Sequence, residues 1–126
     1  GVGPAIAALP ADTLLDLRRL RLRELVASHP RELEMDNSGQ PVRRGVLVTI
    51  DPSPVALASA EKAGFRVTGS EASEALGARL VTLSVPPRLS AREALKRLRQ
   101  AAPGIEADFD HVYEPAGAAL LPVGAA

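Results

Sequence analysis

Between Gly45 and Tyr113 the spacing of apolar residues switches repeatedly between the period of a strand and that of a helix. Gly45–Ile50, GVLVTI, is a short β-branched run that predicts a buried strand, broken by Asp51-Pro52-Ser53-Pro54. Ser53 as N-cap and Pro54 at the first helical position open a helix over Val55–Ala63, with Gly64 as its C-terminal glycine. Phe65–Thr68 starts a second strand, and Gly69–Gly77 fits either its continuation with a bulge or a loop. Arg79–Val85 alternates, with Val81, Leu83 and Val85 on one side and Leu80, Thr82 and Ser84 on the other, and Pro86-Pro87 closes it. Ser90-Ala91-Arg92-Glu93 matches a capping box and predicts a helix to about Ala102, whose apolar face carries Ala91, Ala94, Leu95 and Leu98. Pro103-Gly104 ends it. Ile105, Ala107 and Phe109 then alternate with Glu106, Asp108 and Asp110, the mark of a last strand with one buried and one wet face.

The predicted order from Gly45 is β-α-β-β-α-β. That is the ferredoxin-like split βαβ, an α+β fold with both helices on one face of an antiparallel four-stranded sheet. The other face stays open, either solvated or available for docking. Ahead of it, Asp12 and Thr13 cap a helical pattern whose Leu14, Leu17, Leu22, Leu25 and Val26 fall near one stripe, and His29-Pro30 stops it. Glu32–Arg44 is polar, with a turn signal at Asp36-Asn37-Ser38-Gly39 that either joins short strands around Leu33 and Val42 or links the helix to the main domain. The expected organisation is an N-terminal helical and turn-rich extension over 1–44, a ferredoxin-like domain over 45–113 and an extended tail over 114–126. The extension is expected to pack on the sheet and keep the domain folded alone.

Composition narrows the function classes. Fifteen basic residues balance fifteen acidic ones, so no strong field draws the chain to nucleic acid or membrane. The arginines at 18, 19, 21 and 23 read as a solvated face rather than a polyanion patch. No run approaches the roughly 18 apolar residues of a membrane span. Cysteine is absent, which excludes disulfides and thiolate metal sites. No complete signal peptide is visible in the opening GVGPAIAALP, and the Ala, Arg, Leu and Pro bias suggests a GC-rich bacterial genome.

Catalytic signals are weak. Phosphate-binding, dinucleotide, zincin and nucleophile-elbow motifs are all missing, and the histidines stand far apart. Asp108 and Asp110 share one side of the last strand, as an acid/base pair or weak metal site would require, but surface charges facing basic residues, such as those of the last helix, are the simpler reading. No pocket is expected beside them. RNA-recognition domains share the topology but need stacking aromatics on the central strands, where this chain has Leu, Val, Thr and Ser. Neither cofactor nor metal is expected.

Gly45–Ala116 resembles the inhibitor-type propeptide of subtilisin-like serine proteases. The resemblance rests on the β-α-β-β-α-β order beginning GVLVTIDPSP and on LVTLSVPPRLSAREALKRLRQAAPGIEADFDHVYEP, a strand, a Pro-rich turn, a Ser-capped helix, Pro-Gly and an acidic strand. Asp110-His111-Val112 is similar to the end of such propeptides. The resemblance implies a non-catalytic intramolecular chaperone and inhibitor, secreted or periplasmic. It would dock its open face on two protease helices, capping their N-termini with Asp108 and Asp110. It also implies that Val112, Tyr113, Glu114, Pro115 and Ala116 lie in the active-site cleft, with Leu120, Leu121, Val123 or Ala126 marking an alternative end of the bound tail. The protease would be the rest of a longer polypeptide or a separate chain. The competing readings are a free-standing ferredoxin-like binding or dimerisation module and, more remotely, a small acid/base enzyme.

Overall fold

The computed structural model describes residues 11–112. Its elements are α1 (Ala11–Ser28), β1 (Leu33–Met35), β2 (Pro41–Ile50), α2 (Pro54–Lys62), β3 (Arg66–Ser73), β4 (Ala78–Ser84), α3 (Ala91–Ala101) and β5 (Glu106–His111). All strands join one antiparallel five-stranded sheet. β2 is flanked by β4 and β5, and β3 lies outside β4, so the principal order is β5-β2-β4-β3. The two β-α-β units, β2-α2-β3 and β4-α3-β5, therefore interleave, as a ferredoxin-like α+β fold requires. β1 pairs with the first residues of β2, on the side that β4 takes further along.

Local chemistry explains where the elements start. The Ser53 hydroxyl accepts the Ala56 N–H at 3.0 Å, with Pro54 occupying the first helical position of α2. The capping box of α3 is complete: Ser90 Oγ accepts the Glu93 N–H at 3.1 Å and Glu93 Oε1 accepts the Ser90 N–H at 3.1 Å. The Gly69–Gly77 ambiguity resolves as strand with a bulge: β3 runs to Ser73, its register against β4 slipping between Val67 and Gly69.

One face of the sheet carries the core. Leu47, Val81, Leu83 and Val85 pack with Ala60 of α2, Phe65, and Ala94, Leu95 and Leu98 of α3, with Ile105, Ala107 and Phe109 at the margin. Full burial of a Leu or Phe side chain contributes about 1.5–3 kcal/mol, so Leu47, Leu83, Leu98 and Phe65 dominate a core with few aromatics. Among the described residues Thr49 is one of two buried polar residues, with Glu34, and its hydroxyl donates to the Val81 carbonyl at 2.9 Å.

The N-terminal segment is tied to this sheet. β2 runs unbroken from Pro41 to Ile50, so the boundary expected near Arg44 falls inside a strand. The strand continues because Gly45, at φ +81°, absorbs the irregularity between Val42 and Leu47 in its pairing with β5. The Asp36–Gly39 turn does join strands around Leu33 and Val42, which is one of the two expected arrangements. α1 contacts β1 and β2, but its leucine stripe is only partly used. Leu22 is buried and Leu25 and Val26 are half-buried, whereas Leu14 and Leu17 stay 48% and 50% exposed. An 18-residue helix is about 27 Å long at 1.5 Å per residue, far longer than the three-residue strand beneath it.

Candidate functional site

The face of the sheet opposite α2 and α3 is fixed by the period of two. Leu47 and Thr49 point into the core, so Val46, Val48 and Ile50 of β2 point away from it, opposite Ser84, Thr82 and Leu80 of β4. These six residues are all half-buried. They form an aliphatic and hydroxyl centre without an aromatic ring. On one flank β5 adds Glu106 opposite Ile50 and Asp108 opposite Val48, with Asp110 two residues on.

The two aspartates expected at this face have different surroundings. Asp110 Oδ2 lies 3.3 Å from Arg43 Nε of β2, across side chains 35% and 57% exposed. Such a surface pair is worth about 0–1 kcal/mol, so a competing donor displaces it at small cost. The partner is thus a β2 residue, not a basic residue of the last helix. Asp108 Oδ1 accepts the Phe109 N–H at 2.7 Å, so one of its oxygens turns to the outer edge of β5. Among the described residues no group of carboxylates and histidines is arranged to hold a metal ion.

The end of β5 is anchored by the hairpin that precedes it in space. The Val112 N–H donates to the Pro41 carbonyl at 3.0 Å, and His111 pairs with Val42. The His111 Nε2 lies 3.1 Å from Asp36 Oδ2, while Asp36 Oδ1 accepts the Ser38 N–H, the Ser38 hydroxyl and the Gln40 N–H at 2.7–2.9 Å. Burial pushes the Asp36 carboxyl upward. The hydrogen bonds from Gln40, Ser38 and His111 outweigh it and hold the group below the usual carboxylate range. The same hairpin grips α3: Glu34, only 7% exposed, accepts the Ala91 N–H through Oε1 at 2.7 Å. Its other oxygen lies 3.2 Å from Arg44 Nη1 without hydrogen-bond alignment, so that contact is Coulombic rather than directed.

Glu34 is not marked by any sequence pattern, and His111 stood out only as part of the Asp110-His111-Val112 ending, not as a partner of Asp36. Asp36 was legible as a turn residue, but its pairing spans 75 positions and that of Glu34 with Ala91 spans 57. Val112 is the one expected tail residue that the structure describes; Tyr113, Glu114, Pro115, Ala116, Leu120, Leu121, Val123 and Ala126 lie outside the described residues.

On the helix side, a groove of about 900 Å3 runs between α3 and β5. It corrects the expectation that no pocket lies beside the last strand. Leu95 of α3 and Phe109 of β5 line the groove, together with Asp108 and polar residues of α3. No protein-family model and no curated protein matches the chain. No helix among the described residues is long and apolar enough to cross a membrane.

Proposed function

We propose that this domain is a chaperone and inhibitor of a subtilisin-like serine protease, non-catalytic itself, acting in a secreted or periplasmic setting in cis or in trans. One observation carries the reading. The open face has an apolar centre at Val46, Val48, Ile50 and Leu80, an acidic flank on β5, and a chain that leaves that same strand at Val112. A carboxylate set beside an apolar surface suits helix N-termini, whose N–H groups lack partners and whose dipole favours negative charge. The resemblance of Gly45–Ala116 to protease propeptides supplies the identity of the partner. In this reading the residues from Val112 to Ala116 enter the cleft as an added strand, and their backbone hydrogen bonds contribute affinity.

The test is inhibition of the subtilisin-like protease encoded with the chain, measured with the full chain and with a copy ending at Tyr113. Tight inhibition that truncation weakens strongly supports the reading. Failure of the folded, intact chain to inhibit that enzyme sinks it and favours a binding or dimerisation module instead.

A further inference from the structure

The outer edge of β5 carries a second feature, independent of protease inhibition. Among the described residues β5 pairs with β2 alone, so half of its backbone groups face away from that sheet. Which half is visible from two contacts. The Phe109 N–H is taken by the Asp108 carboxylate, and the Ala107 carbonyl by Arg99 Nη2 at 3.4 Å. Ala107 and Phe109 therefore present their amides outward, while Glu106 and Asp108 bond to Ile50 and Val48. Side chains stand where a neighbouring strand would stand.

This edge forms one wall of the groove beside α3. Leu95 and Phe109 give it an apolar surface, and Arg92, Lys96 and Arg99 line the helical wall at one-turn spacing. The two carboxylates at the lining are committed: Glu93 to the Ser90 N–H and Asp108 to the Phe109 N–H. Lys96 has no carboxylate within ion-pair distance among the described residues. We propose that the β5 edge and the basic face of α3 bind an extended acidic peptide of a partner protein, which joins the sheet as a further strand. Its backbone replaces the Asp108 and Arg99 plugs, one row of its aliphatic side chains lies on Leu95 and Phe109, and its carboxylates meet Lys96 and the released Arg99. A second copy of this chain is the poorer occupant, because two β5 edges would bring Glu106, Asp108 and Asp110 against the same residues of the other copy. The groove lies on the helix side, so a bound peptide leaves the open face clear.

The experiment uses the full chain, isotopically labelled, and a capped peptide of alternating valine and glutamate. Expected are saturable binding, slowed exchange of the Ala107 and Phe109 amides, and binding weakened about tenfold or more by joint Lys96→Glu and Arg99→Glu substitution at unchanged fold. Ala107→Pro is the second variant. It removes an outward N–H that β2 does not use, and it should abolish the added strand without costing a ladder bond. Absence of saturable binding, protection confined to other strands, or equal binding of a valine–lysine peptide overturns the proposal. So does binding that appears only when residues 113–126 are removed, which would assign the groove to the chain's own tail.

Discussion

Replacing Glu34 with alanine tests whether the N-terminal hairpin is a structural part of the ferredoxin-like domain. Glu34 sits on β1, yet its carboxylate accepts the N–H of Ala91, the first residue of α3. The alanine variant leaves that N–H buried and unpaired. Loss of a hydrogen bond to a charged group costs about 1.5–3 kcal/mol. The helix-terminus contribution, about 0.3–1 kcal/mol, overlaps with it and is not added in full. Arg44 is 41% exposed, so solvent screens its ion pair and holds it to less than about 1 kcal/mol. The expected total is about 2–4 kcal/mol, a large share of the roughly 5–15 kcal/mol that stabilises a domain. Glu34→Gln keeps a neutral acceptor for Ala91 and should cost about half as much. Urea unfolding followed by circular dichroism gives these values, and a double-mutant cycle with Arg44→Ala isolates the ion pair. A loss below about 0.5 kcal/mol for Glu34→Ala would refute the capping argument. Coupling to Arg44 as large as the whole effect would refute the ranking of hydrogen bond over ion pair.

Other consequences are equally direct. Asp36 has a folded pKa below its unfolded value, so it contributes stability above the unfolded pKa that is lost as pH falls through the folded one. An NMR titration should place its midpoint below the ordinary carboxylate range, and Asp36→Asn should flatten the acid limb of the stability profile; a midpoint at or above that range contradicts the bonding described. Leu98→Ala, at a fully buried position facing the sheet, should cost about 2–5 kcal/mol in the same unfolding assay, and a cost under about 1 kcal/mol would mean that α3 is not packed as described. Ser90→Ala should remove about 1 kcal/mol in that assay through loss of the acceptor for the Glu93 N–H, while the backbone N–H of residue 90 goes on donating to the Glu93 carboxylate and keeps its carboxyl low.

Periodicity made most of the fold legible. Val81, Leu83 and Val85 alternate with Thr82 and Ser84, and the buried set is the one that the alternation selects. Ser53-Pro54 and the Ser90–Glu93 box located helix starts because capping is a local interaction, complete within four residues. The hairpin was harder to read. Gly45 looked like the start of a strand because it follows two arginines, whereas it is the kink within a strand that begins at Pro41. The contacts that lock the hairpin to the rest, Glu34 to Ala91 and Asp36 to His111, depend on sheet register and helix placement together, and no local pattern encodes both. Asp108 and Asp110 lie on one side of β5 as their spacing suggests, but their partners, the Phe109 N–H and Arg43 of β2, depend on how β5 is set against β2. The leucines of α1 show the converse: helical period is clear along its length, while burial ends where the sheet ends.

The hydrogen bond from Val112 to Pro41 also gives the sheet a mechanical direction. Any pull on the residues beyond it reaches β5 at its last rung. Drawn outward, away from β2, the rungs at Val112, Asp108 and Glu106 open in turn, each bearing the load alone. Drawn along the strand axis, they resist together. A partner gripping the tail thus peels the strand at low force from one angle and meets the combined strength of the ladder from another, so the angle at which the tail is held decides whether tension unzips β5 or leaves it seated.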